Sequence, residues 1–434
     1  MSAPLIGLFG IIALFAMLFV RIPVWAVLAI VGFAGSYVVG GPAAAFALAG
    51  TKPFDTASAY TLSVVPLFIL MGEVASETRL SSDLFKAARI ALSGIRGGLL
   101  VAAIAASGCF GAVCGSSVAT AATMTRIALP EMRKAGYEDG LAAGSLAAGG
   151  SLGILIPPSI ILVIYAAIAE QSVPKLFAAS LIPGIVLTLL YILVALFISR
   201  ASKGAAPSAE QLPWRERLAA LAGPWQFLTL FLVTIGGIYA GIFSPTEAAA
   251  IGAFGAILLG FSGGRFTFAK LMVAIENAVL TSCLLFAIII GANLFSVFMV
   301  QTHLPDLMAN GAEALHLPGL AVMALIIVAY IVIGCFLEGI GMVLITVPVF
   351  LPLVMKYGYD PMWFAIIVVI VVEVGLIHPP VGMNLFVIQS QAPDLKITDI
   401  YRGILPFLIA PLILIVMLFM APEMALWLPG VLYN

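Results

Sequence analysis

Residues 375 to 384, GLIHPPVGMN, set a histidine, two prolines and two glycines inside a long apolar run. Proline removes a backbone donor and glycine lets the chain turn, so a helix is interrupted there. A related stretch, GILIPPS, begins at Gly153, and two more stretches combine glycine with polar groups: GSSVAT (115 to 120) and EGIGM (338 to 342). Half-helix ends of this kind present carbonyls to a cation and N–H groups to an anion. The chemistry on offer is ion and anion binding at unwound backbone. The substrate candidates at these places are Ser116, Ser117, Thr120, Pro158, Ser159, His378 and Asn384.

Each signal has a plainer reading. A lone Pro-Pro in an apolar helix is a kink, and hydroxyls such as Ser116, Ser117 and Thr120 often bond their own helix. Repetition of the Pro-Pro at a fixed offset, and the place of the hydroxyls beside Gly115, favour a site. Glu338 and Glu373 are ionisable groups at depth and are read as functional helpers. Glu247, near a helix start, is read as a dipole partner. His378 is a cation-site neighbour, a proton carrier or a hydrogen-bonded spacer, with the spacer ranked first because one histidine is no relay.

The chain around these residues has 434 residues, 63% hydrophobic and 9% charged, against about 25% charged in a soluble domain. It reads as an all-α integral membrane protein. The net charge of -1 gives no basic excess for nucleic acid, and the absence of any Gly-Lys pair excludes a phosphate-binding P-loop, hence ATP by that route. Cys109, Cys114, Cys283 and Cys335 form no CxxC and are expected as buried small apolar residues. The opening stretch lacks a positive n-region and is read as a retained first span.

An internal repeat organises the chain. GCFGAVCGSSVAT (108 to 120) aligns with GCFLEGIGMVLIT (334 to 346) at an offset of 226; Pro130, Gly136 and Tyr137 match Pro352, Gly358 and Tyr359 at 222, as do Gly153 with Gly375 and Pro23 with Pro245. Each half predicts three spans (4 to 20, 23 to 41, 56 to 75; 222 to 243, 246 to 262, 275 to 300). A Gly/Ser-interrupted segment (97 to 130; 317 to 355), a segment broken by Pro-Pro (140 to 170; 361 to 391) and a last span (176 to 199; 403 to 428) follow. The interrupted segments fit re-entrant hairpins. Five crossings per half, an odd number, then require two inverted-topology repeats.

Basic residues point the same way: sixteen of the nineteen fall on one predicted face, and only Lys52, Lys175 and Lys356 on the other. The basic face should be cytoplasmic, with both termini outside. Trp25, Trp214, Trp225, Trp363 and Trp427 fall near span ends, as interfacial anchors should. The stretches 79 to 96, with Leu80, Leu84, Ala88 and Leu92 on one stripe, and 304 to 315 read as surface helices, with a solvated loop an even alternative for the second.

At GAVCGSSVAT, LPEMRKAGY, GSLGILIPPSI, SPTEAAAIGA and VEVGLIHPPVGMNLFV the sequence resembles the large membrane subunit of tripartite ATP-independent periplasmic (TRAP) transporters, of the dicarboxylate and sialic acid type. The resemblance covers nearly the whole chain. It implies a sodium-driven importer of organic acids in the bacterial inner membrane. Its implied partners are a periplasmic substrate-binding protein (P type) and a small four-helix membrane subunit (Q type). It also implies an elevator: scaffold spans and arm helices in 1–96 and 218–316, transport-domain parts in 97–199 and 317–434, and a cytoplasmic linker at 200–217. Sodium sites of the family, carried over, fall on Gly115, Ser116 and Ser117 with Gly153 and Pro157, and on Gly339 and Gly341 with Gly375, Pro379 and Gly382, mostly through backbone carbonyls. His378 stands where similar chains carry threonine, so no hydroxyl ligand is available there.

Three other readings compete. A stand-alone carboxylate carrier would need neither partner. A membrane enzyme using Glu338, Glu373 and His378 lacks a nucleophile or metal motif. A proton-translocating respiratory subunit would want charges along several spans, and most spans have none.

Overall fold

A computed structural model describes residues 2–78, 80–201, 212–262, 266–334 and 337–433. Arg79, Lys203 and most of the expected linker, Arg265, Cys335 and Phe336 lie outside the described residues. The described chain is helical throughout, with no strand among the described residues. Among the described residues seven helices are long and apolar enough to cross a membrane, or eight if Trp214–Ala220 and Trp225–Tyr239, bent by 43°, count as one span.

The same order of elements runs in each half. The first contains Ala3–Phe19, Val24–Ala57, Val64–Glu77, a short helix Leu80–Ala91, the pair Gly98–Cys114 and Ser117–Lys134, the pair Asp139–Ser151 and Ile160–Ile168, and Val173–Ala201. The second contains Trp225–Tyr239, Pro245–Ser262, Phe268–Gln301, the short Leu304–Ala314, the pair Gly319–Gly334 and Gly339–Lys356, and the pair Pro361–Ile377 and Met383–Gln391. Ile397–Met420 and Glu423–Tyr433 close it.

The two interrupted segments are helical hairpins. In hairpin 1 the turn falls on Gly115, whose φ of +65° suits a residue without a Cβ. Ser116 then caps the return helix by accepting from Ala119 N–H at 3.3 Å. The ends meet: Leu99 N–H donates to the Tyr137 hydroxyl at 3.4 Å. In hairpin 2 a Cβ on Gly319 would lie 3.2 Å from the Tyr359 hydroxyl, so its base closes on the equivalent tyrosine. Each hairpin arm, at 16 to 18 residues, is about 25 Å long.

Several sequence expectations change. The residues from 42 to 55, between two expected spans, are helical and continue Val24–Ala57 past a kink at Gly41 (φ +82°), because Pro42 suits the first turn of a new helix. In the second half the corresponding helix merges forward instead, giving the 34-residue Phe268–Gln301. The last expected span, 403 to 428, breaks after Met420 at Ala421-Pro422. Trp363 is no interfacial anchor: it is 2% exposed, donates from Nε1 to the Leu418 carbonyl at 3.0 Å and stacks on Tyr359. Cys114 is buried as expected, but Cys109 and Cys283 are exposed, where lipid suits an apolar thiol as well as a protein core does.

Other readings hold. Leu304–Ala314 is a helix, not a loop. Leu80 and Leu84 are buried on one face of Leu80–Ala91. Glu247 forms a reciprocal cap with Ser244: it accepts from the Ser244 N–H and hydroxyl, both at 2.8 Å, while its own N–H reaches Ser244 Oγ at 3.3 Å.

Packing between the halves relies on small residues, as expected where lipid gives helices no hydrophobic drive to associate. Val24–Ala57 and Phe268–Gln301 lie so close that a Cβ on Gly32 would sit 2.5 Å from the backbone of Leu294 and Phe295. Asn293 Nδ2 donates across the same seam to Thr56 Oγ1 at 2.9 Å. At the edge, Arg133 holds Asp139 through two bonds (2.9 and 3.0 Å) and Asp394 at 2.7 Å, tying hairpin 1 to both Pro-Pro segments. The hydrogen bond from Arg133 keeps the exposed Asp394 carboxyl below the usual carboxylate range.

The seam makes a prediction. Gly32→Val should destabilise the purified protein by about 1–3 kcal/mol, the usual cost of overpacking, read as a lower melting temperature in detergent. Gly50→Val, where an added Cβ meets nothing within 4 Å, should leave the melting temperature nearly unchanged.

Candidate functional site

The first Pro-Pro segment stops being helical after Ile154 and resumes at Ile160, with a cis bond between Pro157 and Pro158. Ser159 serves the break itself: its hydroxyl donates to the Ile154 carbonyl at 2.5 Å and accepts from Leu162 N–H at 3.3 Å. The tip of hairpin 1 lies directly against this break. A Cβ on Gly111 would meet Gly153 Cα at 2.5 Å, and one on Gly115 would meet the Pro158 carbonyl oxygen at 2.9 Å. One on Gly153 would meet Thr120 Oγ1 at 2.9 Å and the Ser116 carbonyl oxygen at 3.0 Å. Glycine on both sides is what lets two irregular backbones come this close.

The second break repeats the arrangement with differences. Gly375 and Gly334 face each other, a Cβ on Gly375 falling 2.9 Å from Gly334 Cα. A Cβ on Gly339 would meet Val372 at 2.7 Å and Ile161 of the first half at 3.2 Å. After Ile377 the chain is extended at His378 (φ -88°, ψ 129°), passes the cis pair Pro379-Pro380 and turns at Gly382 (φ +57°). Tyr401 donates its hydroxyl proton to the Pro380 carbonyl. Gly341 does not face the break: a Cβ there would meet Val24 Cγ1 at 3.2 Å.

One bond joins the two systems. Asn384 Nδ2, just past the second break, donates to Ser117 Oγ at the first tip at 2.6 Å, and both residues are buried. Asn384 Oδ1 has no partner among the described residues. Glu373, fully buried, likewise has none for either carboxylate oxygen among the described residues. Glu338 stands at the N-cap of Gly339–Lys356, yet its side chain makes no capping bond.

Both tips open on one cavity of about 370 Å³. Gly115, Ser116 and Ser117 line it from hairpin 1, Glu338 and Gly339 from hairpin 2, Ile154 and Ile160 from the first Pro-Pro segment, and Leu376 and Met383 from the second. Of the sequence candidates, Thr120, Gly153, Pro157, Pro158, Ser159, Gly341, Glu373, Gly375, His378, Pro379, Gly382 and Asn384 do not line it. Glu73, from Val64–Glu77, and Thr281, from Phe268–Gln301, complete the wall and were missed by the sequence reading. The signal for Glu73 was present, since it interrupts the apolar run PLFILMGEVAS, by the same rule that singled out Glu338 and Glu373. A second cavity of about 370 Å³ lies among Glu77, Asp83, Trp225 and Lys270, apart from both tips. There Lys270 is already engaged with the Glu77 carbonyl at 3.3 Å.

Paired hairpin tips and the flanks of paired Pro-Pro breaks thus border one shared cavity. Residues 11–424 match the family described as tripartite ATP-independent periplasmic transporter, DctM component. The chain belongs to that family. It is 36% identical over 381 residues, 87% of this chain and 88% of the other, to the C4-dicarboxylate TRAP transporter large permease protein DctM of Pseudomonas aeruginosa. It is 29% identical, covering 85% and 86% of the two chains, to the sialic acid TRAP transporter large permease protein SiaM of Vibrio cholerae. The YdaH transporter of Alcanivorax borkumensis shares its fold, with a TM-score of 0.63 over 90% of this chain and 89% of that one at 17% identity. As a DctM-family permease, the protein is a multi-pass membrane transporter of TRAP large-permease type.

The Asn384–Ser117 bond is open to test. Ser117→Ala strands a buried amide donor, so the melting temperature should drop by an amount equivalent to about 1–3 kcal/mol. Asn384→Leu together with Ser117→Ala, which removes both polar partners, should recover much of that loss.

Proposed function

We propose that this DctM-family chain is the large membrane subunit of a sodium-coupled secondary importer of organic acids, carboxylates such as C4-dicarboxylates or sugar acids. One observation carries the reading: both glycine-bearing hairpin tips and residues flanking both Pro-Pro breaks line a single cavity. Sodium would bind where tip meets break, through carbonyls at Gly115, Ser116, Ser117, Gly153 and Pro157 and around Gly339, Gly375, Pro379 and Gly382, with Gly341 the weakest member because it faces Val24. The residues present fit a hard monovalent cation in one respect, since the Ser116 carbonyl and the buried Thr120 hydroxyl, which has no hydrogen-bond partner among the described residues, both lie about 3 Å from where a Cβ on Gly153 would stand. The organic anion would sit in the cavity against Ser116 and Ser117.

The two halves act, in this reading, as inverted repeats with re-entrant hairpins. Segments 97–199 and 317–434 move as the transport domain against the scaffold of 1–96 and 218–316, with 200–217 as a cytoplasmic linker and Leu80–Ala91 and Leu304–Ala314 as arms. The membrane is the bacterial inner membrane, with both termini periplasmic, in keeping with the bias of basic residues. A periplasmic binding protein delivers substrate and a small four-helix subunit braces the scaffold, as the word tripartite in the family description suggests.

Proteoliposomes holding this chain with its small partner should take up organic acid only with an inward sodium gradient and a loaded binding protein. Uptake of free substrate without that protein would make it a stand-alone carrier. Gly115→Val and Gly153→Val should abolish uptake while membrane insertion stays normal; normal uptake in both would remove the sodium assignment. Ser208→Cys should label only from the cytoplasm and Tyr433→Cys only from the periplasm, whereas labelling from one side would refute the inverted repeat.

A further inference from the structure

A smaller cavity, of about 220 Å³, lies in line with the one between the hairpin tips. Two helices wall both. On Phe268–Gln301, Thr281 and Leu285 line the tip cavity and Ile289 and Asn293 the smaller one, a single row at four-residue spacing. On Ile160–Ile168, Ile161 lines the first cavity and Ile164 and Ile168 the second, again on one face. From the tip cavity to the smaller one, residue numbers rise on both helices, so the two cavities are successive steps about one helical turn, roughly 5 Å, apart. The residues at their boundary, Ile161, Ile164, Leu285 and Ile289, are apolar and buried.

The smaller cavity carries what the tip cavity lacks. No Lys, Arg or His is among the described residues lining the tip cavity. Lys52 lines the smaller one, together with the Thr56 and Thr61 hydroxyls and the Asn293 amide. Asn293 donates to Thr56 Oγ1, so the Thr56 hydroxyl still has its own proton to give. Lys52 pairs with Asp55 only loosely, at 3.9 Å, and Asp55 is the more exposed of the two, 58% against 36%. So open a pair is worth little, and an incoming carboxylate can take the place of Asp55 on the ammonium. In the proposed topology Lys52 stands on the periplasmic face beside only Lys175 and Lys356. Lys356 is already held by Glu313 and Asn310, both at 3.0 Å.

We infer that the smaller cavity is an outer binding site for the organic acid, where Lys52 holds a carboxylate before the acid passes the apolar boundary into the tip cavity. This rests on the transport reading above and adds a stage to it. Lys52 supplies the attraction for an anion that the tip cavity, with Glu73 and Glu338 in its wall and no basic side chain, does not. In that reading Ile164 and Ile168 belong to the transport domain and Lys52, Ile289 and Asn293 to the scaffold. Movement of one against the other therefore opens or closes the boundary between the two cavities.

The test is sodium-driven uptake of radiolabelled succinate and sialic acid by proteoliposomes holding this chain and its small partner, with loaded binding protein as the titrated donor. Lys52→Gln should raise the half-saturating concentration about tenfold, the loss expected of one charge-assisted hydrogen bond, with a smaller effect on the maximal rate. Lys52→Arg, which keeps the charge, should stay within about twofold of the wild type, and Asp55→Asn, which removes the competitor, should lower half-saturation about two- to fivefold. Docking of the loaded binding protein to the purified complex, measured separately, should be the same in all four proteins, and their melting temperatures show that each is folded. Half-saturation unchanged in Lys52→Gln, raised in Asp55→Asn, or matched by an equal loss of docking affinity overturns the inference while leaving sodium-driven uptake in place. A wild type that takes up neither acid on a sodium gradient would instead refute the transport reading.

Discussion

A peptide group in hydrocarbon has no water to bond, and each one left unpaired costs several kcal/mol. This chain interrupts its helices at two hairpin tips and two Pro-Pro breaks, so many carbonyls and N–H groups need protein partners at depth. The solution is to set each tip against a break. Gly111, Gly115 and Gly153 bring the first pair to backbone contact, and Gly334 and Gly375 do the same for the second. Ser159 spends its hydroxyl on the break it belongs to, and Tyr401 covers the Pro380 carbonyl. Once tips and breaks must lie together, a cavity walled by both tips follows from the packing, with polar backbone already gathered around it.

That constraint also explains why the site carries so few charged side chains. Groups that satisfy unwound backbone are small, and the cross-half bond from Asn384 to Ser117 is among the few made by side chains alone. The two halves therefore do not merely sit side by side. Arg133 on the rim and Asn384 in the centre each join elements more than 200 residues apart, so movement of one hairpin against its break would be felt by the other half.

Much of this was legible because it rests on residue types that have few other uses in lipid. Paired Pro-Pro at a fixed offset, Gly115 beside two serines, and the amphipathic stripe of Leu80 and Leu84 each announced an element that is present. Where the reading went astray, local sequence was compatible with two outcomes that only tertiary contacts decide. Pro42 permits either a break or a kink, and Gly41 makes it a kink. Trp363 has the position of an interfacial anchor, but Tyr359, Phe419 and the Leu418 carbonyl claim it. Gly341 matches Gly115 in sequence and yet faces Val24. Glu73 stands on the uninterrupted helix Val64–Glu77, so no break in the sequence marks it as part of the cavity wall.

The central proposal is that hairpin 2 moves against the helix Val24–Ala57. Gly341 and Val24 touch across that boundary, a Cβ on Gly341 falling 3.2 Å from Val24 Cγ1. The direct measurement is sodium-driven uptake by a Val24→Cys, Gly341→Cys protein in a background lacking the native cysteines, before and after oxidation. If the hairpin travels, the disulfide stops uptake and reductant restores it. Undiminished uptake with the crosslink fully formed would contradict the moving domain.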